Sequence, residues 1–201
     1  MKDDRDYTQD IAEIRSMMER SSKFLSLSGW AGIMAGLYAL AGAWVANSWY
    51  NFYPDEISYE TSSLTEIVWL ALLILVMALV TAIYFSWRKA ADRGEKIWNA
   101  VSRQLLASMA IPLAAGGGII LILVSKGLVG LAAPLMLLFY GLALYNASKY
   151  TIAEVKYMGT VQMGLGLVGA WFVEYGLLFW ALGFGVVHII YGVYMYFRYE
   201  R

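Results

Sequence analysis

The sequence predicts an all-α polytopic membrane protein: six transmembrane helices as three antiparallel hairpins, with both termini in the cytoplasm. Three observations predict it. First, 60% of the 201 residues are hydrophobic and only 15% are charged, whereas soluble domains are about half apolar and about a quarter charged. Second, six apolar stretches each come close to the ~20 residues that cross a hydrocarbon core. Third, 14 of the 15 Lys and Arg residues fall in alternate connections, and the other connections hold only Lys126. The positive-inside rule makes the basic side cytoplasmic. A helix count wrong by one would scramble that partition.

Taken in order, residues 1–23 form a charged and polar segment without an apolar run, so no cleavable signal peptide is expected. Ile11, Ile14, Met18 and Leu25 recur on one helical stripe, and Glu19 and Lys23 are spaced for an ion pair. That pattern describes an amphipathic helix that either lies on the membrane or runs into the first span. The transmembrane domain is then 24–201, with spans expected at Phe24–Ala46, Ile67–Trp87, Leu105–Val124, Leu128–Asn146, Tyr157–Val173 and Gly176–Phe197. Helices are the expected spanning elements, because each satisfies its own backbone hydrogen bonds and the runs lack the alternation of a barrel.

The connections differ in length. Asn47–Glu66 is a long outer loop, rich in aromatic and acidic residues, with a turn at Pro54-Asp55. The outer connections around Ser125–Gly127 and Glu174–Gly176 are tight, which forces antiparallel neighbours. Arg93-Gly94 marks a cytoplasmic turn between extensions of the second and third helices, with Trp87 and Trp98 at the interface on either side. An offset of 51 residues superposes Tyr140-Gly141 on Tyr191-Gly192 and Tyr145 on Tyr196. Either a hairpin repeat or convergent interfacial aromatics gives that match.

Within the spans, small residues mark packing faces. The first helix carries Gly29, Gly32, Gly36, Ala39 and Ala43 at heptad-like spacing, and the fifth carries Gly159, Gly166 and Gly169 with Gln162 among them. In lipid such faces let helix backbones approach closely. They serve either contacts within the chain or a seam to a second copy or another membrane protein. Pro112 and Gly116–Gly118 in the third helix, with Gly117 at their centre, and Pro134 in the fourth are candidate kinks.

The chemistry-bearing residues are few. His188 falls near the middle of the sixth helix, where an ionisable group is a functional candidate by default. Its alternatives are a neutral ring bonded to a carbonyl, a Tyr or Gln162, or a titrating group. Gln162, Tyr140 and Tyr191 complete the candidate intramembrane polar site. Zero net charge argues against nucleic acid as a partner. No cysteine and a single histidine leave no expected metal site, and no cofactor motif is present. Six spans with a histidine in the last invite comparison with rhomboid intramembrane proteases. Those need Gly-x-Ser-Gly on the fourth helix, and no serine lies within this fourth span. No enzymatic activity is expected. The sequence leaves a small-molecule ligand open.

Leu128–Ala147 and Gly164–Phe197 read as glycine-bearing apolar hairpins with a Gly near the end of the second helix. In this pattern the chain resembles the bacterial HdeD-like acid-resistance membrane proteins, which are also short and have six spans. The long acidic outer loop and the charged N-terminal segment depart from that family. The resemblance implies a multi-pass stress protein of the bacterial cytoplasmic (inner) membrane. Few intramembrane charges, no motif and no soluble domain large enough for catalysis make the leading expectation a non-enzymatic membrane protein with an accessory, sensing or stress-related role. The alternative is a small-solute or ion transporter or channel whose path runs between helices three to six, lined by His188, Gln162 and the tyrosines.

Overall fold

A computed structural model describes residues 23–52 and 61–201. All regular structure among these residues is helical. The helices are α1 (Gly29–Ser48), α2 (Thr61–Asp92), α3 (Ala100–Ser125), α4 (Ala132–Ala147) and α5 (Glu154–Trp171). The last rod comprises α6 (Gly176–Trp180), a π-helical segment (Ala181–Val187) and α7 (His188–Tyr199). Short 3₁₀ turns at Val129–Leu131 and Val173–Tyr175 precede α4 and α6. Five of these rods are long and apolar enough to cross a membrane. The helix expected as the fifth span, α5, is 18 residues long and is not among the five. Glu154, Lys156, Gln162 and its glycines lower its hydropathy. The proposed amphipathic stripe at 11–18, the Glu19–Lys23 pair and the turn at Pro54-Asp55 lie outside the described residues.

Local chemistry sets the helix ends. Asn99 and Ser102 form a reciprocal capping box at the start of α3: Ser102 N–H donates to Asn99 Oδ1 and Asn99 N–H donates to Ser102 Oγ, both at 2.9 Å. The turn after α2 places Gly94 at φ +67°, in the left-handed region that glycine tolerates. α3 runs without interruption through Pro112 and Gly117, and Pro134 falls in the first turn of α4, where a missing N–H breaks no helical bond. An irregular helical segment lies in the last rod, at Ala181–Val187.

The expected first span begins too early. Phe24–Ser28 is not helical, so Leu25 does not continue an N-terminal helical stripe. Instead these residues cross one end of the bundle, held at almost every position. Phe24 N–H donates to Tyr150 O (2.7 Å) and Thr151 Oγ1 donates to Phe24 O (2.6 Å). Arg93 Nη1 donates to Leu25 O at 3.1 Å, Ser26 Oγ donates to Glu95 at 3.1 Å, and Lys89 Nζ donates to Leu27 O at 2.5 Å. At the start of α1, Glu200 Oε1 accepts from Gly29 N–H at 2.8 Å and from Lys89 Nζ at 2.9 Å. Polar side chains hold this strap because an extended segment cannot satisfy its own backbone. The strap ties the ends of α2 and α7 and the α4–α5 connection to one end of the molecule, the end that carries the basic connections.

Packing follows the small residues. α1 lies against α2 on one side and against the π segment and α7 on the other; α3 lies against α4, and α4 against α5. The closest approaches are glycine on backbone: a Cβ added at Gly29 would sit 2.5 Å from Gly192 O, and one at Gly159 would sit 2.7 Å from Gly141 O. Both small-residue faces are thus occupied within the chain. An apolar core of Leu144, Ile152, Val155, Met158 and Met195 fills the space among α4, α5 and α7 near the basic end.

Candidate functional site

The site forms where α4, α5 and the last rod meet. His188 is 7% exposed and Gln162 is 0% exposed, so neither ring nor carboxamide faces lipid. His188 Nδ1 lies 2.9 Å from Gly183 O and Nε2 lies 3.0 Å from Tyr140 Oη. A carbonyl can only accept, so Nδ1 carries the proton. In the neutral ring Nε2 is then the acceptor, and the Tyr140 hydroxyl donates to it. Both ring nitrogens are satisfied by protein groups.

Gly183 is the hub of this arrangement. Its carbonyl also accepts from Gln162 Nε2 at 2.8 Å. Its missing side chain matters equally, because a Cβ there would strike the Leu137 side chain and lie 2.5 Å from Gln162 Oε1. The carboxamide of Gln162 therefore lies against Gly183, its nitrogen donating to the carbonyl and its oxygen close to the space a side chain at 183 would take. Gln162 Oε1 and Tyr191 Oη are the buried polar atoms without a hydrogen-bond partner among the described residues.

Aromatic rings close the other sides. Tyr140 and His188 are stacked with centroids 5.5 Å apart, and Phe184 lies 5.2 Å from Tyr140 and 5.8 Å from His188. Gly183 and Phe184 both belong to the π segment. A π segment is rare and widens the helical turn, which changes which side chains share a face. Gly183 and His188 are five residues apart, a spacing that a regular α-helix puts on different faces.

Of the four residues singled out from sequence, Tyr140, Gln162 and His188 converge on one carbonyl and one ring. Tyr191 sits one turn beyond His188, packed against the apolar core with its hydroxyl unpartnered. Gly183, Phe184 and Leu137 belong to the site and were not legible in the sequence. Their signal was the Gly183-x-Gly185 pair just before His188, which a 3.6-residue period assigns to a packing face. The helix-packing glycines Gly29, Gly32, Gly36, Gly159 and Gly166 meet neighbouring backbone, and Gly169 meets the Phe179 ring.

The arrangement can hold a neutral imidazole rigidly inside a membrane and link three helices through it. Among the described residues no group of three or more His, Cys, Asp or Glu residues is placed to hold a metal ion. No family model matches the chain, and no curated protein or solved structure matches it.

Proposed function

We propose that this chain is a non-enzymatic integral membrane protein with an accessory, sensing or stress-related role. In this reading it crosses the bacterial cytoplasmic membrane six times as three hairpins, N-in and C-in. α5 is the fifth span and completes the six: its glycine face is covered by α4, while Val161, Leu167, Val168 and Trp171 are exposed and apolar enough for lipid. The observation that carries the reading is the closure of the polar site: His188 uses both ring nitrogens on protein partners and is packed between aromatic rings. A group so engaged offers no free donor or acceptor to a passing solute. The resemblance to HdeD-like proteins supports the stress-related role. Association with a second copy or another membrane protein belongs to this reading too, through surfaces other than the glycine faces of α1 and α5, which are filled within the chain.

A second reading, transport of a small solute or ion, is favoured by a specific feature: two buried side-chain atoms, Gln162 Oε1 and Tyr191 Oη, have no hydrogen-bond partner among the described residues, and the last rod carries a π segment of a kind that often marks functional positions. Flux of several solute classes into liposomes bearing the purified chain separates the two. Background leakage throughout is expected. Saturable flux of any one solute, lost in His188→Leu but not in an exposed control variant, overturns the accessory reading.

A further inference from the structure

Two seams in the molecule are the same seam. On α1, a Cβ at Gly29 would meet Gly192 O at 2.5 Å and Tyr196 N at 2.6 Å; on α5, a Cβ at Gly159 would meet Gly141 O at 2.7 Å and Tyr145 N at 2.9 Å. One turn pair further along, Gly36 meets Gly185 O at 2.6 Å and Ile189, while Gly166 meets Pro134 O at 2.7 Å and Leu138. The reverse contacts agree: Gly192 meets Gly29 O and Ile33 N at 2.6 Å, and Gly141 meets Gly159 O at 2.7 Å and Met163 N at 2.8 Å. Every partner on α4 becomes its partner on the last rod by the same offset of 51 residues found in the sequence. Convergent interfacial aromatics do not produce equal backbone contacts at both positions.

In each seam the helix that fills the small-residue face comes from the hairpin preceding it around a ring: α4 fills α5, and the last rod fills α1. The ring has a third such position, on α3. There Ala107, Ala110, Ala114 and Gly117 follow the three-four-three spacing of Gly29, Gly32, Gly36 and Ala39, and of Gly159, Gln162, Gly166 and Gly169. All four α3 residues are exposed, and a Cβ on Gly117 would find nothing within 4 Å. The helix due to fill this face is α2. It makes no extended contact with α3, and its most apolar window is 0% buried, against 39% for α1 and 39% for the segment containing α4.

We infer that the chain is a ring of three hairpins with one seam standing open, and that α2 closes onto the small-residue face of α3 in a second conformation. The occupant is fixed by the repeat: it is the helix running toward the basic end, antiparallel to α3, as α4 is to α5. α2 presents Leu73, Met77, Val80 and Tyr84 as one stripe, and all four are exposed. Large side chains on α2 fit a groove lined by alanine and glycine on α3. The strap grips α2 only near its end, through Lys89 and the following turn; further along, α2 rests on α1, where Ile74 sits against Gly42, so closure moves α2 across α1 toward α3. Closure stabilises the bundle by van der Waals packing, the term that drives helix association in lipid.

The cysteine-free chain makes the test direct. The spacing from the connecting turn that sets Pro134 opposite Gly166 sets Met77 opposite Ala114. The double variants Met77→Cys/Ala114→Cys and Val80→Cys/Ala110→Cys, in native membrane vesicles, should form an intramolecular disulfide under mild oxidant, read as a gel-mobility shift and a cross-linked peptide mass. Leu75→Cys/Ala114→Cys, with Leu75 on another face of α2, should not. Two pairs are used so that a variant that fails to fold leaves one measurement; retained thermal unfolding of each reduced variant establishes folding. A dimer-sized cross-link from the same pairs overturns the inference, because a second copy then fills the seam. No cross-link in either folded pair also overturns it, because lipid then covers both helices.

Discussion

At the scale of single residues, the membrane interior makes every polar atom costly unless it is paired, so the His188 cluster is read through its pairings. Tyr140→Phe removes the donor to Nε2 and leaves a buried acceptor, which costs about 1–3 kcal/mol. A lower thermal midpoint in detergent checks this, and an unchanged midpoint would show that Nε2 has another donor. Gly183→Ala drives a methyl group into Leu137 and Gln162 Oε1; overpacking of that kind costs about 1–3 kcal/mol, and the smaller Gln162→Ala in the same chain should recover part of it. Sequence reasoning reached His188, Gln162 and Tyr140 because intramembrane polar residues are rare enough to stand out. It missed Gly183 because the π segment breaks the period on which helical faces are counted. The pairings also separate two roles for the ring. A structural role predicts that His188→Gln keeps most stability, since Gln offers a donor and an acceptor, while His188→Leu loses it at every pH. A titrating role predicts that both variants remove a pH dependence seen in the wild type, and melting at two pH values distinguishes them.

At the scale of elements, the ends of the rods were less legible than their middles. Apolar runs locate a span because lipid imposes length and composition on it. Whether the run begins as helix or strap depends on partners remote in sequence, and Glu200 lies 171 residues from Gly29. Glu200 caps α1 with a carboxylate, where the positive end of the helix dipole favours it, and pairs with Lys89 while the two side chains are only 13% and 11% exposed. Glu200→Ala should cost about 2 kcal/mol by removing the cap and the carboxylate that pairs with Lys89, whose ammonium keeps only Leu27 O. Glu200→Gln should cost less, because an amide oxygen still accepts from Gly29 N–H. If the two variants melted together, the cap would contribute nothing. The same logic applies to the glycine faces: Gly36→Leu and Gly166→Leu would each force a side chain into backbone less than 3 Å away. Both should lower the midpoint of the monomer in detergent, whatever its state of association.

At the scale of the whole molecule, composition and the placement of basic residues lead to an expected topology before any contact is known. The fold adds the physical reason that the basic connections lie together. The strap, the α2–α3 turn, the α4–α5 connection and the C-terminal end meet in one network of hydrogen bonds and ion pairs, with Arg198 and Tyr199 both on Glu154. Such a network needs water around its rim, and desolvating it within lipid would be prohibitive. The tight turns at Lys126 and Glu174 lie at the opposite end of the rods. Single cysteines placed in the native cysteine-free chain test the orientation. Ser125→Cys, at the outer end of α3 and exposed, should react with a membrane-impermeant maleimide applied to intact cells. Ala91→Cys, near the basic end of α2 and equally exposed, should react only after the membrane is opened. Labelling in the reverse order would place the basic end outside and overturn the six-span, N-in reading. Labelling of both from outside would mean that α3, the one helix between them, does not cross, and the ring of three hairpins would fall with it.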